Sequence, residues 1–310
     1  MRELARIPLP PHAADGEFDH AAVDPVNDRL YVAHPSVDAV EIVDLHARRH
    51  LGSLPGLRGV AGVWVDAPSR HLFTSNRGED TVSIFRLEEG GSRELFRSPT
   101  GVRPNGMAFD TARSTLLVAG VGDATRADAP PTLSFIDARS GRPLGRLTAP
   151  GRTRWAIFHP PTDAFYVNIA APASVIAIRA GELDRISRTY PIPAMGPHGL
   201  EQDPRGDLLY CACDAGVLVA LDLDRGSPRV VARLSGPPDV LWLNRARSRL
   251  YAAIGEPGLV DVFDLDPFRP SEKVVTAADA HTLTVDERRD EVHVFLPGSH
   301  EDLVLEDRPR

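Results

Sequence analysis

The chain has 310 residues, 42% of them hydrophobic and 25% charged, with Gly 25 and Pro 28, which is ordinary globular material rich in turn formers. Its net charge of −8 comes with no basic run. That argues against nucleic-acid or anionic-membrane partners, which need clustered Lys and Arg. No apolar run approaches the roughly 20 residues that span a bilayer. The opening stretch "MRELARIPLPPHAADGEFD" lacks an apolar h-region, so a cytoplasmic setting is expected.

In chain order, "ELARIPLP" comes first, an apolar stretch with no repeat of its own. Seven copies of one unit follow, beginning "FDHAAVDPVNDRLYVAHPSVDAVEIVDL" and "AGVWVDAPSRHLFTSNRGEDTVSIFRL" and ending "HTLTVDERRDEVHVFLPGSHEDLVLED". Their first strands close on Asp24, Asp66, Asp110, His159, Asp203, Asn244 and Asp286, at spacings of 42, 44, 49, 44, 41 and 42. A period of about 40 to 50 with short strands and turn residues between them predicts propeller blades. Each copy reads strand A, a turn such as "DPVND", strand B, a loop, strand C and a more variable strand D. The expectation is an all-β, seven-bladed β-propeller forming one domain over 1–310. Residues 3–9 are expected to supply strand D of the seventh blade, because the last copy ends at strand C and pairing the chain ends removes open sheet edges.

Blade three carries a long B–C insertion, residues 120–131, which predicts a loop over the mouth with Arg126 reaching inward. In blade five, Cys211 and Cys213 share one strand face, where a disulfide does not form easily; they read as small buried residues, with a Cys-x-Cys redox or metal site the alternative. Trp64, Trp155, Trp242, Phe96 and Phe268 read as packing between blades.

Strand A lines the axis of a propeller. Five residues before its closing position the copies hold Asp19, Ala61, Asn105, Arg154, His198, Asp239 and His281. Different residues at one repeated position build one asymmetric polar site. His198, Asp239, His281 and Asp19 come from contiguous blades. Two imidazoles and two carboxylates suit Zn, Mn or Fe better than Ca or Mg. Arg154 faces this arc and suits a substrate carboxylate or an oxyanion. Asp19 or Asp239 is the candidate general base. His20 is expected to point off the axis, as a partner of Asp19 or as packing. The ends of strand B, with His34 and Asn76 polar and Ile169, Ile254 and Leu296 apolar, are expected to wall the mouth, with Asn105, Arg126 and His300 adding contacts. No serine-nucleophile, dinucleotide or Walker motif occurs, so no nucleotide cofactor is expected.

Through "RLYVAHPSVDAVEIVDL" and "HLFTSNRGEDTVSIFRL" the chain resembles the YVTN-type seven-bladed propellers over nearly its whole length. Through "EFDHAAVD", "RPNGMAFD" and "PPDVLWLN" the mouth also resembles the senescence-marker-protein/gluconolactonase family of metal-dependent propeller hydrolases, with Asp19, Asn105 and Asp239 at matching positions. That family has six blades, and His198 and His281 stand where it uses oxygen ligands. "PHGL" and "AHTL" give a looser parallel to zinc-binding propeller lyases. The resemblance implies a metal-dependent enzyme hydrolysing a lactone or related ester. A lyase or isomerase would use the same parts, and a propeller that only binds a small ligand or a protein is the alternative.

Overall fold

A computed structural model describes residues 1–13, 16–206 and 208–308, so the last two residues of the expected domain lie outside it. Seven four-stranded antiparallel sheets form a ring, each ordered A-B-C-D from the axis outward. The A strands are Ala21–Asp24, Val60–Asp66, Pro104–Asp110, Thr153–His159, Pro197–Gln202, Leu241–Asn244 and Leu283–Asp286. The only helical segments among the described residues are two 3-10 turns, Pro35–Val37 and Pro160–Thr162. The seventh blade takes its strand D from Arg2–Pro8, which pairs antiparallel with Glu301–Glu306, within a residue of the expected 3–9.

Burial follows from the stacking of blades. Strand B packs a neighbour on each face and is almost wholly buried, as in "RLYAAI" and "HLFTSN", so it reads as a continuous apolar run. The outermost strands alternate, as Arg49–Pro55 does. Cys211 and Cys213 are buried free thiols.

The residues that close strand A have a local task. Asp24, Asp110, Asp203 and Asp286 each accept a hydrogen bond from the backbone N–H two residues on, at 2.9, 3.0, 2.8 and 3.0 Å. These are Asx turns, which fix the sharp A–B reversal.

The start of strand A matters most for the site. In blades one to six two consecutive residues there oppose a single residue of strand B. Asp19 and His20 both bond Ala33, Asp239 and Val240 both bond Ala253, and register shifts bracket residues 105–106, 154–155 and 198–199. Such a β-bulge re-aims side chains that alternation would send apart. It also brings the backbone against the next blade. A Cβ on Gly106 would stand 2.5 Å from the Arg154 carbonyl oxygen, so only glycine fits there.

Candidate active site at the loop mouth

Strand A starts bring His198, Asp239 and His281 together. The His198 ring is held at both nitrogens. Its Nδ1 lies 2.8 Å from Asp214 Oδ1 and its Nε2 2.7 Å from Asp239 Oδ1. Burial pulls this imidazole down most strongly, but Asp239 and Asp214 together outweigh it and hold the pKa up at about 9. His198 is therefore an imidazolium through the neutral range, clamped by two carboxylates. Asp239 is buried, which would raise it, yet His198 and His281 hold its carboxyl well below the usual range. His281 Nδ1 donates to the Asp279 carbonyl at 2.8 Å, leaving Nε2 3.8 Å from Asp239 Oδ2.

Arginines from the earlier blades close the ring. Arg154 Nη1 lies 3.0 Å from His198 Nε2, and its Nη2 3.6 Å from Asp214 Oδ2. Two cations thus face one another, offset by Asp214 and Asp239. Arg77 reaches Asp19 Oδ2 at 3.4 Å, and Asp19 Oδ1 accepts the His20 N–H at 3.0 Å. Arg152 is held below the ordinary guanidinium range by burial and by repulsion from Arg154, Arg103 and Arg77. Among the described residues the Nε atoms of Arg77 and Arg154 and the Oδ1 of Asn105 are buried without a hydrogen-bond partner. Such groups carry a desolvation cost that a bound polar molecule removes. Glu17, also near the mouth, is pushed up by burial and by Asp19.

The expected metal set assembles only in part. Asp19 pairs with Arg77 at 3.4 Å and with His20 at 3.5 Å, and among the described residues makes no ion pair with His198 or His281. Two ligands of a tetrahedral ion at about 2.1 Å stand roughly 3.3 Å apart, whereas 2.7 Å between His198 and Asp239 is a hydrogen-bonded ion pair. Among the described residues no group of three or more His, Cys, Asp or Glu is arranged to hold a metal ion.

Other expected positions lie elsewhere. The strand B ends do not wall the mouth: His34 and Asn76 are fully buried, as are Ile169 and Ile254, with Leu296 nearly so. His34 Nδ1 bonds Glu41 at 3.0 Å, and Asn76 donates to Thr81 and Ser83 within its own blade. Alternation explains this. The last residue of strand B points into the sheet stack and the next one faces the mouth, as Arg77 and Asp214 do. Arg126 does not reach inward. It pairs with Asp128 at 3.0 Å within a loop that folds on itself through an Asp123 N–H to Ala129 carbonyl bond of 2.8 Å. His300 packs its ring 4.4 Å from that of His12.

His20 and the tryptophans also depart from expectation. His20 packs against Trp155 in a tilted arrangement with centroids 4.3 Å apart, because the bulge turns it to the axis. Trp242 lies 6.4 Å from Trp64 and 6.5 Å from Trp155. These rings come from blades two, four and six, which can meet only in the central channel. Phe268, in contrast, packs between blades as expected, 5.9 Å from Tyr210.

No family model matches the chain, and no curated protein matches it. Among solved structures it is similar to hydrazine synthase of Kuenenia stuttgartiensis, with a TM-score of 0.79, 13% identity, and coverage of 93% of this chain and 95% of that one. A likeness at that identity speaks to the propeller fold alone. Among the described residues no helix is long and apolar enough to cross a membrane.

Proposed function

We propose that the loop mouth is the active site of an acid–base enzyme acting on a small anionic carbonyl compound, with hydrolysis of a lactone or related ester the first reaction to assay. The observation that carries this reading is the Asp214–His198–Asp239 clamp set against Arg154, whose Nε is buried and unpartnered. In this reading a substrate carboxylate lies on Arg154, with Arg77 and Arg152 nearby, since guanidinium groups match carboxylate geometry. An arginine N–H also stabilises the negative charge that builds on the carbonyl oxygen. Asp239 is a poor base but a steady counter-ion, which leaves Asp19 to accept a proton from the attacking water. As the ring C–O bond breaks, His198 gives its proton to the departing alkoxide oxygen. The proton on Asp19 leaves through solvent and His198 regains one, so the site returns to its starting charge. Elimination or enolate isomerisation uses the same groups and is told apart by its products.

A ligand-binding protein without chemistry is the second reading, favoured by the same arginine arc, which needs no reaction to hold an anion. The test pairs thermal shifts with citrate, succinate and inorganic phosphate with pH-stat turnover of a lactone panel. R154A is expected to weaken anion binding at least about tenfold, the scale of one charge-assisted hydrogen bond. H198A is expected to keep anion binding and lose about 10²–10⁴ in turnover, the range for a general acid. Anion binding without turnover leaves the second reading, and no anion binding removes both. Stoichiometric metal in the purified protein, lost on joint substitution of His198 and His281 by Ala, would reinstate the divalent-ion expectation.

A further inference from the structure

The opposite mouth of the channel, ringed by the A–B turns, holds a second set of chemical groups that the loop-mouth reading does not use. Two residues before each closing position, strand A carries Ala22, Trp64, Ala108, Ile157, Glu201, Trp242 and Thr284. Glu201 is 8% exposed. The only hydrogen bond to its carboxylate among the described residues is a 3.2 Å contact from the N–H of its own neighbour, Gln202. Among the described residues no Lys, Arg or His nitrogen lies within 4.0 Å of it. The arginine nearest in charge, Arg245, is paired with Glu287 at 2.9 Å.

Two adjoining cavities of about 360 and 430 Å³ meet here, both lined by Trp64, Glu201 and Arg245, and the larger also by Trp242. They are in the size range of small-molecule sites. A carboxylate taken out of water without a counter-ion is costly, and indole faces attract cations more strongly than the other aromatic side chains do. A carboxylate beside two indoles in an open cavity is the chemistry that recognises an organic cation.

We propose that the turn-side mouth is a binding site for a small organic cation of the quaternary-ammonium or alkylamine class, with Glu201 as its counter-ion and Trp64 and Trp242 as its walls. Trp155, which packs against His20 at the loop mouth and lies 6.5 Å from Trp242, stands between this site and the loop mouth. Burial raises the Glu201 carboxyl to about 7, with Arg245 lowering it and Glu287 raising it. Asp66, Asp110, Asp286 and Arg288 also line the cavities. The cation therefore binds better as pH rises through neutrality and Glu201 ionises.

The three tryptophans are the only ones in the chain, and all lie in the channel, so intrinsic fluorescence reports on this site directly. The experiment titrates the full chain with choline and with its uncharged isostere 3,3-dimethylbutan-1-ol, at pH 6 and pH 8. Expected is a saturable fluorescence change with choline only, several-fold tighter at pH 8, weakened at least tenfold in E201Q and retained in H198A. E201Q removes a buried unpaired charge, so it should fold; its unfolding midpoint, measured alongside, confirms that. W242F supplies a second variant, expected to weaken choline binding while Trp64 and Trp155 still report it. Equal binding of the alcohol, equal affinity in E201Q, or no saturable signal with choline would each overturn the proposal.

Discussion

His198 shows how one residue ties the site to stability. Its pKa rises from an ordinary 6.5 to about 9 on folding. A group raised on folding contributes stability that is complete below its unfolded pKa and lost as pH climbs through the folded one. That contribution is on the order of 3 kcal/mol at pH 6 and fades between about 6.5 and 9. Urea unfolding across that window should show a downward slope in the wild type that flattens in H198Q; parallel slopes would mean the clamp is not ionised as described. The histidine itself was legible, because an imidazole stands at a repeated position where other copies hold Ala, Asn, Asp, Arg or, in blade seven, a second His. Its partner Asp214 and Asp19's partner Arg77 were not, although both follow directly after strand B. Reading the strand's last residue instead of the next one led to His34 and Asn76, whose side chains are buried inside the blades.

At the scale of the element, the bulge at the start of strand A decides which side chains reach the axis. It explains why His20 and Trp155 face the channel beside Asp19 and Arg154, against simple alternation. No composition signal announces a bulge, so strict period-2 reading put His20 on the wrong side, and Trp155 with it. Glycine is the one trace it leaves, at Gly62, Gly106 and Gly199, where a Cβ would meet the neighbouring blade. In G106A the added carbon meets the Arg154 carbonyl oxygen, which must shift. The variant should lose about 1–3 kcal/mol, as overpacked sites do, and bind citrate or succinate about as poorly as R154A. Normal anion affinity in a destabilised G106A would separate the bulge from the positioning of Arg154. The blades themselves were legible throughout. Asp, Asn or His closes every strand A, and four of the aspartates tie the same Asx turn, so turn chemistry repeats in phase with the fold.

The whole molecule depends on a seam between its two ends. Ile7 is fully buried in a cluster with Leu9, Phe18, Leu30 and Phe295, and Arg2–Pro8 covers the outer edge of Glu301–Glu306. Deleting residues 2–8 leaves that edge open and uncovers Phe295 and Val304. Size-exclusion chromatography should then show higher oligomers, and the melting transition should fall and broaden. A monomeric deletion variant with an unchanged transition would mean six blades and a bare edge suffice.

The same seam sets an order of events at the ribosome. Arg2–Pro8 is made well ahead of its partner Glu301–Glu306, with all the other blades between them. At about 5–20 residues per second, the leading segment waits roughly a quarter of a minute to a minute unpaired. Arg2, Glu3, Arg6 and Pro8 stud that segment, and charge and proline are what keep a lone β-strand from joining the wrong neighbour while it waits.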